Sequence, residues 1–254
     1  MTSKPTLIKI GGSTLGSTDT TFEDIAAMAK AGNVPVVVHG GGAEASRWLD
    51  AMHIPSRFER GLRVTDEKVL PVVVAVFAGL VNKRIVAAIN AAGARAVGFS
   101  GADGRLLECT LAGPEFGFVG EPAAVHPEAV IALREAGIIP VVSPIGYVPA
   151  SPADQLVNVN ADTVAGSIAA AIGAESVLFL TDVDGVRGPA GVVPALDAAT
   201  ARAYIADGTI AGGMIPKVEA CLHAAALGVP ATILDGRLAH ALLGKDGSGT
   251  RITA

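Results

Sequence analysis

A lysine stands inside the first apolar run of this chain, and few features restrict a fold so tightly. Leu7, Ile8 and Ile10 surround Lys9 in a short aliphatic stretch that reads as a buried strand. A charged ammonium is seldom buried unless an anion meets it. Gly11 and Gly12 follow at once, and glycine lets a backbone turn sharply and approach a ligand closely. Strand, lysine and paired glycines together predict an anion site at the carboxyl edge of a sheet. The plainer alternative is a lysine that lays its stem on apolar surface and keeps its head in water.

Further aliphatic runs recur at 34–38, 95–99, 138–142, 176–180 and 231–234, with a last short strand at 250–253. Helical spacing fills 24–31, 43–52, 66–92, 127–135, 162–172 and 198–206, a helix opens around Pro216, and a short one follows residue 234. This alternation argues for an α/β protein with a mostly parallel sheet between helical layers. Residues 57–64 and 146–156 read as hairpins, and 101–120 as hairpins covering a site. The helix over 66–92, opened by Thr65-Asp66-Glu67, is apolar on most sides, so it is either deeply buried or part of a subunit interface. Without repeats or flexible linkers, the 254 residues are expected to form one domain of two lobes, about 1–172 and 173–254.

Composition narrows the partners. A net charge of −5 gives no general attraction for nucleic acid or an anionic membrane, so any anionic ligand must be met by local cations. The apolar stretch from Val69 to Val81 is too short to span a bilayer and carries Pro71. Cys109 and Cys221 are isolated, which indicates neither a disulfide framework nor a zinc site. A polar lead of five residues without an apolar leader core sets the expectation of a cytoplasmic protein.

Two further stretches carry chemistry. His39-Gly40-Gly41-Gly42 joins a strand to a helix, and backbone N–H groups beside a helix N-terminus make a ready anion site. His39 itself reads as a neutral histidine bonded to backbone. Asn158-x-Asn160-x-Asp162 opens another helix, where Asn160 suits a cap. An aspartate between Lys9 and Lys217 could hold both ammonium groups toward a phosphate. P-loop, G-x-G-x-x-G and H-E-x-x-H signatures are missing. Phosphoryl transfer needs mainly positioning and positive charge, which suits what is present.

In order, the chain carries K-x-G-G at 9–12, H-G-G-G at 39–42, G-L-R-V-T-D at 61–66, V-N-K at 81–83, P-V-V-S-x-I-G at 140–146 and N-V-N-A-D at 158–162. T-D-V-x-G at 181–185, G-G-M-I-P-K-V-E-A at 212–220 and G-T-R-I at 249–252 complete the set. Through these motifs it resembles the acetylglutamate kinases of the amino-acid kinase superfamily over nearly its whole length. The resemblance implies a three-layer sandwich around a central, mostly parallel sheet. It also implies ATP-dependent phosphorylation of the side-chain carboxylate of N-acetyl-L-glutamate in arginine biosynthesis.

Residue by residue, the resemblance implies that Lys9 and Lys217 neutralise the transferring phosphoryl group and that Asp162 organises them. Gly11 and Gly12 line the phosphate path. Gly41, Gly42, Arg63, Asn158 and Asn160 hold the acylated amino acid, with Arg63 on its α-carboxylate. Thr181, Asp182, Val183, Asp184, Gly185, Val186, Thr209, Ile210 and Ala211 match the nucleotide-binding stretches. Mg²⁺ arrives with ATP, without a dedicated protein ligand, and a homodimer is expected. A carboxylate acceptor is already ionised at neutral pH, so no general base is required.

Two alternatives accompany this reading. A related branch acts on aminoadipate or glutamate linked to a carrier protein, whereas G-L-R-V-T-D favours free acetylglutamate. A non-catalytic amino-acid or nucleotide sensor on the same fold would lose a lysine or Asp162, and here all three are present. Ser13-Thr14-Leu15 and Phe118 depart from the Asn-Ala and His common in relatives. Arginine-inhibited members carry an extra N-terminal helix, and only Met1 to Thr6 precede the first strand, so arginine insensitivity is expected.

Overall fold

A computed structural model describes residues 4–11, 20–150, 153–188, 191–244 and 249–254. In chain order, β1 (Thr6–Ile10) leads through α1 (Thr21–Lys30) to β2 (Val36–His39) and α2 (Gly42–Ala51). The hairpin of β3 (Phe58–Glu59) and β4 (Leu62–Arg63) precedes a long helix. That helix consists of α3 (Val69–Val74), a π-helical segment (Ala75–Val81) and α4 (Asn82–Ala91). Next come β5 (Ala96–Ser100), β6 (Leu107–Leu111), β7 (Val119–Val125) and α5 (Glu128–Glu135). They are followed by β8 (Ile139–Ser143), β9 (Ile145–Val148), β10 (Gln155–Val159), α6 (Ala161–Ala171) and β11 (Ser176–Thr181). The last stretch holds β12 (Arg187–Gly188), β13 (Gly191–Val192), β14 (Ala195–Asp197), α7 (Ala198–Ala206), α8 (Met214–Ala226), β15 (Ala231–Asp235) and β16 (Thr250–Thr253).

Eight strands form the main sheet in the order β14-β16-β15-β11-β1-β2-β8-β5. Neighbours run parallel except β15 and β16. The chain moves outward from β1 through β2, then returns on the other side of β1 with β11. Such a reversal leaves a crevice at the carboxyl ends of the strands, where α/β sheets bind ligands.

Strand side chains alternate between faces. Leu7, Val36 and Val38 join the apolar cluster that includes Val164 and Ile168 of α6 and Val218 and Leu222 of α8. Ile8, Ile10 and Val37 join the opposite cluster, with Ile25, Leu49 and the buried stripe of the long helix. Lys9 shares the parity of Leu7, which directs it to the α6 side.

Several elements differ from the expectation. Residues 101–120 contribute to β6 and β7, an antiparallel pair as expected, which closes into a small barrel with β9 and β10 that was not foreseen. The segment after β15 makes turns, not a helix, and β12 to β14 were not foreseen. The helix from Val69 to Ala91 runs 23 residues, long and apolar enough by length and composition to cross a membrane. The stretch weighed against a bilayer ends at Val81, although the helix expected from the sequence continues to residue 92. Its Val69, Val73, Val76, Ile85 and Ile89 are nevertheless packed into the domain core.

Asn82 ties this helix to the sheet. Fully buried, its Nδ2 donates to the Val141 carbonyl at 3.0 Å and to His39 Nε2 at 3.1 Å. Lys83 Nζ donates to Asn82 Oδ1 at 2.9 Å and to the Gly98 carbonyl at 2.7 Å. Gly98 is required here, because a Cβ would collide with Asn82 Oδ1. Removing the amide orphans buried acceptors, so Asn82→Ala should lower stability by about 2–3 kcal/mol. Urea unfolding at neutral pH measures it, and a midpoint equal to the wild type would deny the network a stabilising role.

Candidate active site

The carboxyl edge of the sheet opens on a cleft of about 270 Å³, lined on one side by Lys9, Gly40, Gly41, Gly42, Asn158, Asn160 and Asp162. Two helices start there, α2 at Gly42 and α6 at Ala161. The dipoles of both helices, and the N-terminus of α2, which has no side-chain cap, favour an anion. Asn160 caps α6, its Oδ1 accepting from the backbone N–H groups of Asp162 at 2.8 Å and Thr163 at 3.2 Å. The cap sets Asp162 in the first turn, and Lys9 Nζ lies 2.5 Å from Asp162 Oδ1. Gly11 follows β1 directly, whereas Gly12, with Ser13-Thr14-Leu15, lies outside the described residues.

Gly41 is sterically demanded. A Cβ there would stand 2.9 Å from Phe77 Cδ1, on the π-helical segment. A Cβ at Gly42 would meet nothing. Asn158 is buried on β10 and donates to Thr65 Oγ1 at 3.1 Å. Arg63, also buried, donates to the Gly42 carbonyl at 2.9 Å, to Ser46 Oγ at 2.8 Å and to Ser56 Oγ at 2.5 Å. Burial holds its guanidinium below the usual arginine range, with Asp50 opposing from a distance.

A second cleft, about 280 Å³, is lined by Val183 to Arg187 and by Thr209, Ile210, Ala211 and Met214. Two stretches far apart in the sequence thus share one cavity. Thr181 and Asp182 lie just before it, at the end of β11. Gly185 adopts φ +133°, and a Cβ there would come within 2.7 Å of Thr250 Oγ1. Lys217, in the first turn of α8, donates to Asp182 Oδ1 at 3.2 Å, which holds the Asp182 carboxyl below its ordinary range.

That pairing revises the expected arrangement. Asp162 contacts Lys9, while the ion-pair partner of Lys217 among the described residues is Asp182. The two pairs remain related through α8. Cys221, one turn beyond Lys217, is buried; burial raises its thiol and the Asp162 charge adds to the rise. The sequence reading also missed the apolar wall of the first cleft, Phe58, Leu62, Phe77 and Val119. Phe58 had a signal. A two-residue Arg60-Gly61 turn, both at positive φ, sets Phe58 directly opposite Arg63 in the hairpin.

Lysines and helix N-termini gathered at the switch point of a parallel sheet, beside paired clefts, define a phosphotransferase of the α/β class. Residues 4–235 match the amino acid kinase family. The acetylglutamate kinase of Thermosynechococcus vestitus is 46% identical over 246 residues, covering 93% of this chain and 82% of that protein. The chloroplastic acetylglutamate kinase of Arabidopsis thaliana is 43% identical over 264 residues, covering 98% and 75%. Among solved structures, N-acetylglutamate synthase from Neisseria gonorrhoeae, complexed with coenzyme A and N-acetyl-glutamate, aligns with a TM-score of 0.81 at 26% identity, covering 99% of this chain and 59% of that one. The chain belongs to the amino acid kinase family and, within it, to the acetylglutamate kinases.

His39, at the mouth of the glycine loop, is buried and neutral. Its Nδ1 donates to the Gly40 carbonyl at 2.7 Å, and Nε2 accepts from Asn82. Burial is the main cause that lowers its pKa to about 4, against a raising contribution from the Gly40 bond. The unfolded chain therefore takes up this proton first as pH falls. His39 contributes stability that is fully present above pH ~6.5 and is lost as pH falls toward about 4, a total of about 3 kcal/mol. His39→Gln should flatten that acid limb, and urea unfolding at pH 7 and pH 4.5 measures it. An unchanged limb would move the titration to another group.

Proposed function

We propose that this protein transfers the γ-phosphoryl group of ATP to the side-chain carboxylate of N-acetyl-L-glutamate, giving N-acetyl-L-glutamyl 5-phosphate for arginine biosynthesis. The observation that carries this reading is the cleft that holds the Lys9–Asp162 pair, with the Lys217–Asp182 pair and a second cleft over 183–187 and 209–211 beyond the end of β11, in a chain of that family. The lobe up to residue 172 takes the acyl amino acid, and residues 173–254 take the nucleotide.

The acceptor carboxylate is ionised at neutral pH. Its oxygen forms a bond to the γ-phosphorus as the bond to the β–γ bridging oxygen breaks, and ADP leaves without any proton transfer. The difficulty is bringing two anions together. Lys9 and Lys217 spread positive charge over the phosphoryl oxygens, Asp162 aligns Lys9, and Asp182 holds Lys217. Arg63 anchors the α-carboxylate; Gly41, Gly42, Asn158 and Asn160 line the acyl amino acid, and Gly11 borders the phosphate path. The segments 181–186 and 209–211 hold the nucleotide. Mg²⁺ would be carried largely by the ATP phosphates and neutralise them further; the carboxylates nearest the lysines, Asp162 and Asp182, are oxygen donors of the right kind. A cytoplasmic location goes with this reading, even though the Arabidopsis relative is chloroplastic.

A coupled ADP-release assay with acetylglutamate, glutamate and aminoadipate tests the assignment, with turnover expected on acetylglutamate. Lys9→Ala and Lys217→Ala should each lower kcat about 10²–10³-fold with a much smaller change in KM. A variant that kept wild-type kcat would lose its place in the transition state.

The homodimer belongs to the same proposal. Trp48 and Met52 are about half exposed and, with Pro71, Val72, Ala75, Val76 and Leu80, line an apolar groove along α2 and the long helix. A two-fold contact lets identical patches cover each other. Light scattering should report twice the monomer mass, and Leu80→Glu should shift it toward monomer. A wild-type monomer at micromolar concentration would remove the interface.

A further inference from the structure

Arg63 differs from the ion-paired arginines in what surrounds it. Arg60, Arg105, Arg187 and Arg237 each face a carboxylate at 2.6 to 2.8 Å. Arg63 is 5% exposed, yet among the described residues no carboxylate lies within ion-pair distance of it. Its contacts are a carbonyl and two hydroxyls. Both NH2 hydrogens are directed at neutral oxygens, the Gly42 carbonyl and Ser46 Oγ, and one NH1 hydrogen at Ser56 Oγ. Phe58 stacks against the group, with the Arg63 guanidinium carbon 4.5 Å from its ring centroid. Phe58 is itself 59% exposed, so burying apolar surface does not explain its place.

We propose that Phe58 and Ser46 are positioning residues for the carboxylate anchor: they hold the Arg63 guanidinium flat and aimed into the cleft without neutralising it. This rests on the reading of Arg63 as the group that takes the α-carboxylate. Hydroxyl and carbonyl partners fix direction without a contacting carboxylate, and Asp50 acts only from a distance. An aromatic face adds attraction for a cation and fixes its plane, with no negative group to compete with substrate. The device holds a cation ready for one carboxylate, and its effect is confined to substrates that carry that group.

The test uses the full chain in the ADP-release assay. Phe58→Leu keeps the apolar bulk and removes the π-face; Ser46→Ala removes one hydroxyl. Each should raise KM for N-acetylglutamate about 3–10-fold, with kcat and the KM for ATP within about twofold of wild type. Phe58→Tyr, which retains the ring, should restore the wild-type KM. Inhibition by 4-acetamidobutanoate, which lacks the α-carboxylate, should be the same in wild type, Phe58→Leu and Ser46→Ala. A KM unchanged in either variant overturns the role of that residue, and so does an equal loss for the analogue, which would mean direct contact with the rest of the ligand. Arg63→Ala separates the two levels. If it leaves the KM for acetylglutamate unchanged, the reading of the anchor fails. If it raises KM while both positioning variants match wild type, the positioning proposal alone fails.

Discussion

One ammonium in the central strand obliges the rest of the protein to deliver an anion to a single point. The parity of β1 puts Lys9 on the face covered by α6 and α8, so the compensating charge has to come from that layer. The first turn of α6 supplies it, and Asn160 locks the turn by capping it. Breaking a buried ion pair by removing one partner costs about 3–5 kcal/mol. Here the cost is smaller, because the side chains of Lys9 and Asp162 are 14% and 28% exposed. The same partial exposure leaves the ammonium open to the proposed phosphate. Structural need and chemical availability meet at one residue.

Much of the fold was legible because its strands are buried on both faces. A parallel strand between helical layers must be aliphatic at every position, so 34–38 and 176–180 stand out without any alternation to detect. What was not legible lacks a periodic signal of that kind. Strands of two or three residues, such as β12 and β14, are too short to show a pattern. A π-helical segment has no residue signature, and its Phe77 is identified only by its pressure on Gly41. The segment after β15 carries helical spacing, but other bonds hold it. His240 Nδ1 lies 2.8 Å from Asp24 Oδ1, its backbone N–H donates to Thr20 Oγ1 at 2.6 Å, and the Leu242 N–H donates to Asp24 Oδ2 at 3.3 Å. Tertiary partners outweighed local preference.

For the site, the sequence reading located the charged groups and one of the two pairings, Lys9 with Asp162. Lys9, Lys217 and Asp162 follow from glycine turns and helix starts, which are local features. That Lys217 meets Asp182 depends on how α8 docks beside the end of β11, a distance no local pattern encodes. The stretches 183–187 and 209–211 join in one cleft for the same reason: α7 and α8 pack on the sheet so that their connecting turn faces the end of β11. The neutral shell of Arg63 had no signal at all, because Ser46 and Ser56 are ordinary surface-type residues until the hairpin folds over them.

The two kinds of cation in the site are handled differently, and the chemistry of the proposed ligands gives a reason. Each lysine rests against an aspartate. A triphosphate carries several negative charges, so it competes well for an ammonium that a single carboxylate already orients, and the aspartate then serves to aim the lysine. Arg63 would meet one carboxylate of the acyl amino acid, equal in charge to any aspartate the protein could place there. An internal acid would compete with that ligand one for one, and binding would gain almost nothing. Neutral oxygens and an aromatic face avoid the contest while still fixing the guanidinium. The protein as a whole is negative, at −5, so a cation kept free of internal acids is also the scarcer resource. On this view the absence of an acid at ion-pair distance from Arg63, among the described residues, is as much a part of the site as the presence of Asp162 beside Lys9.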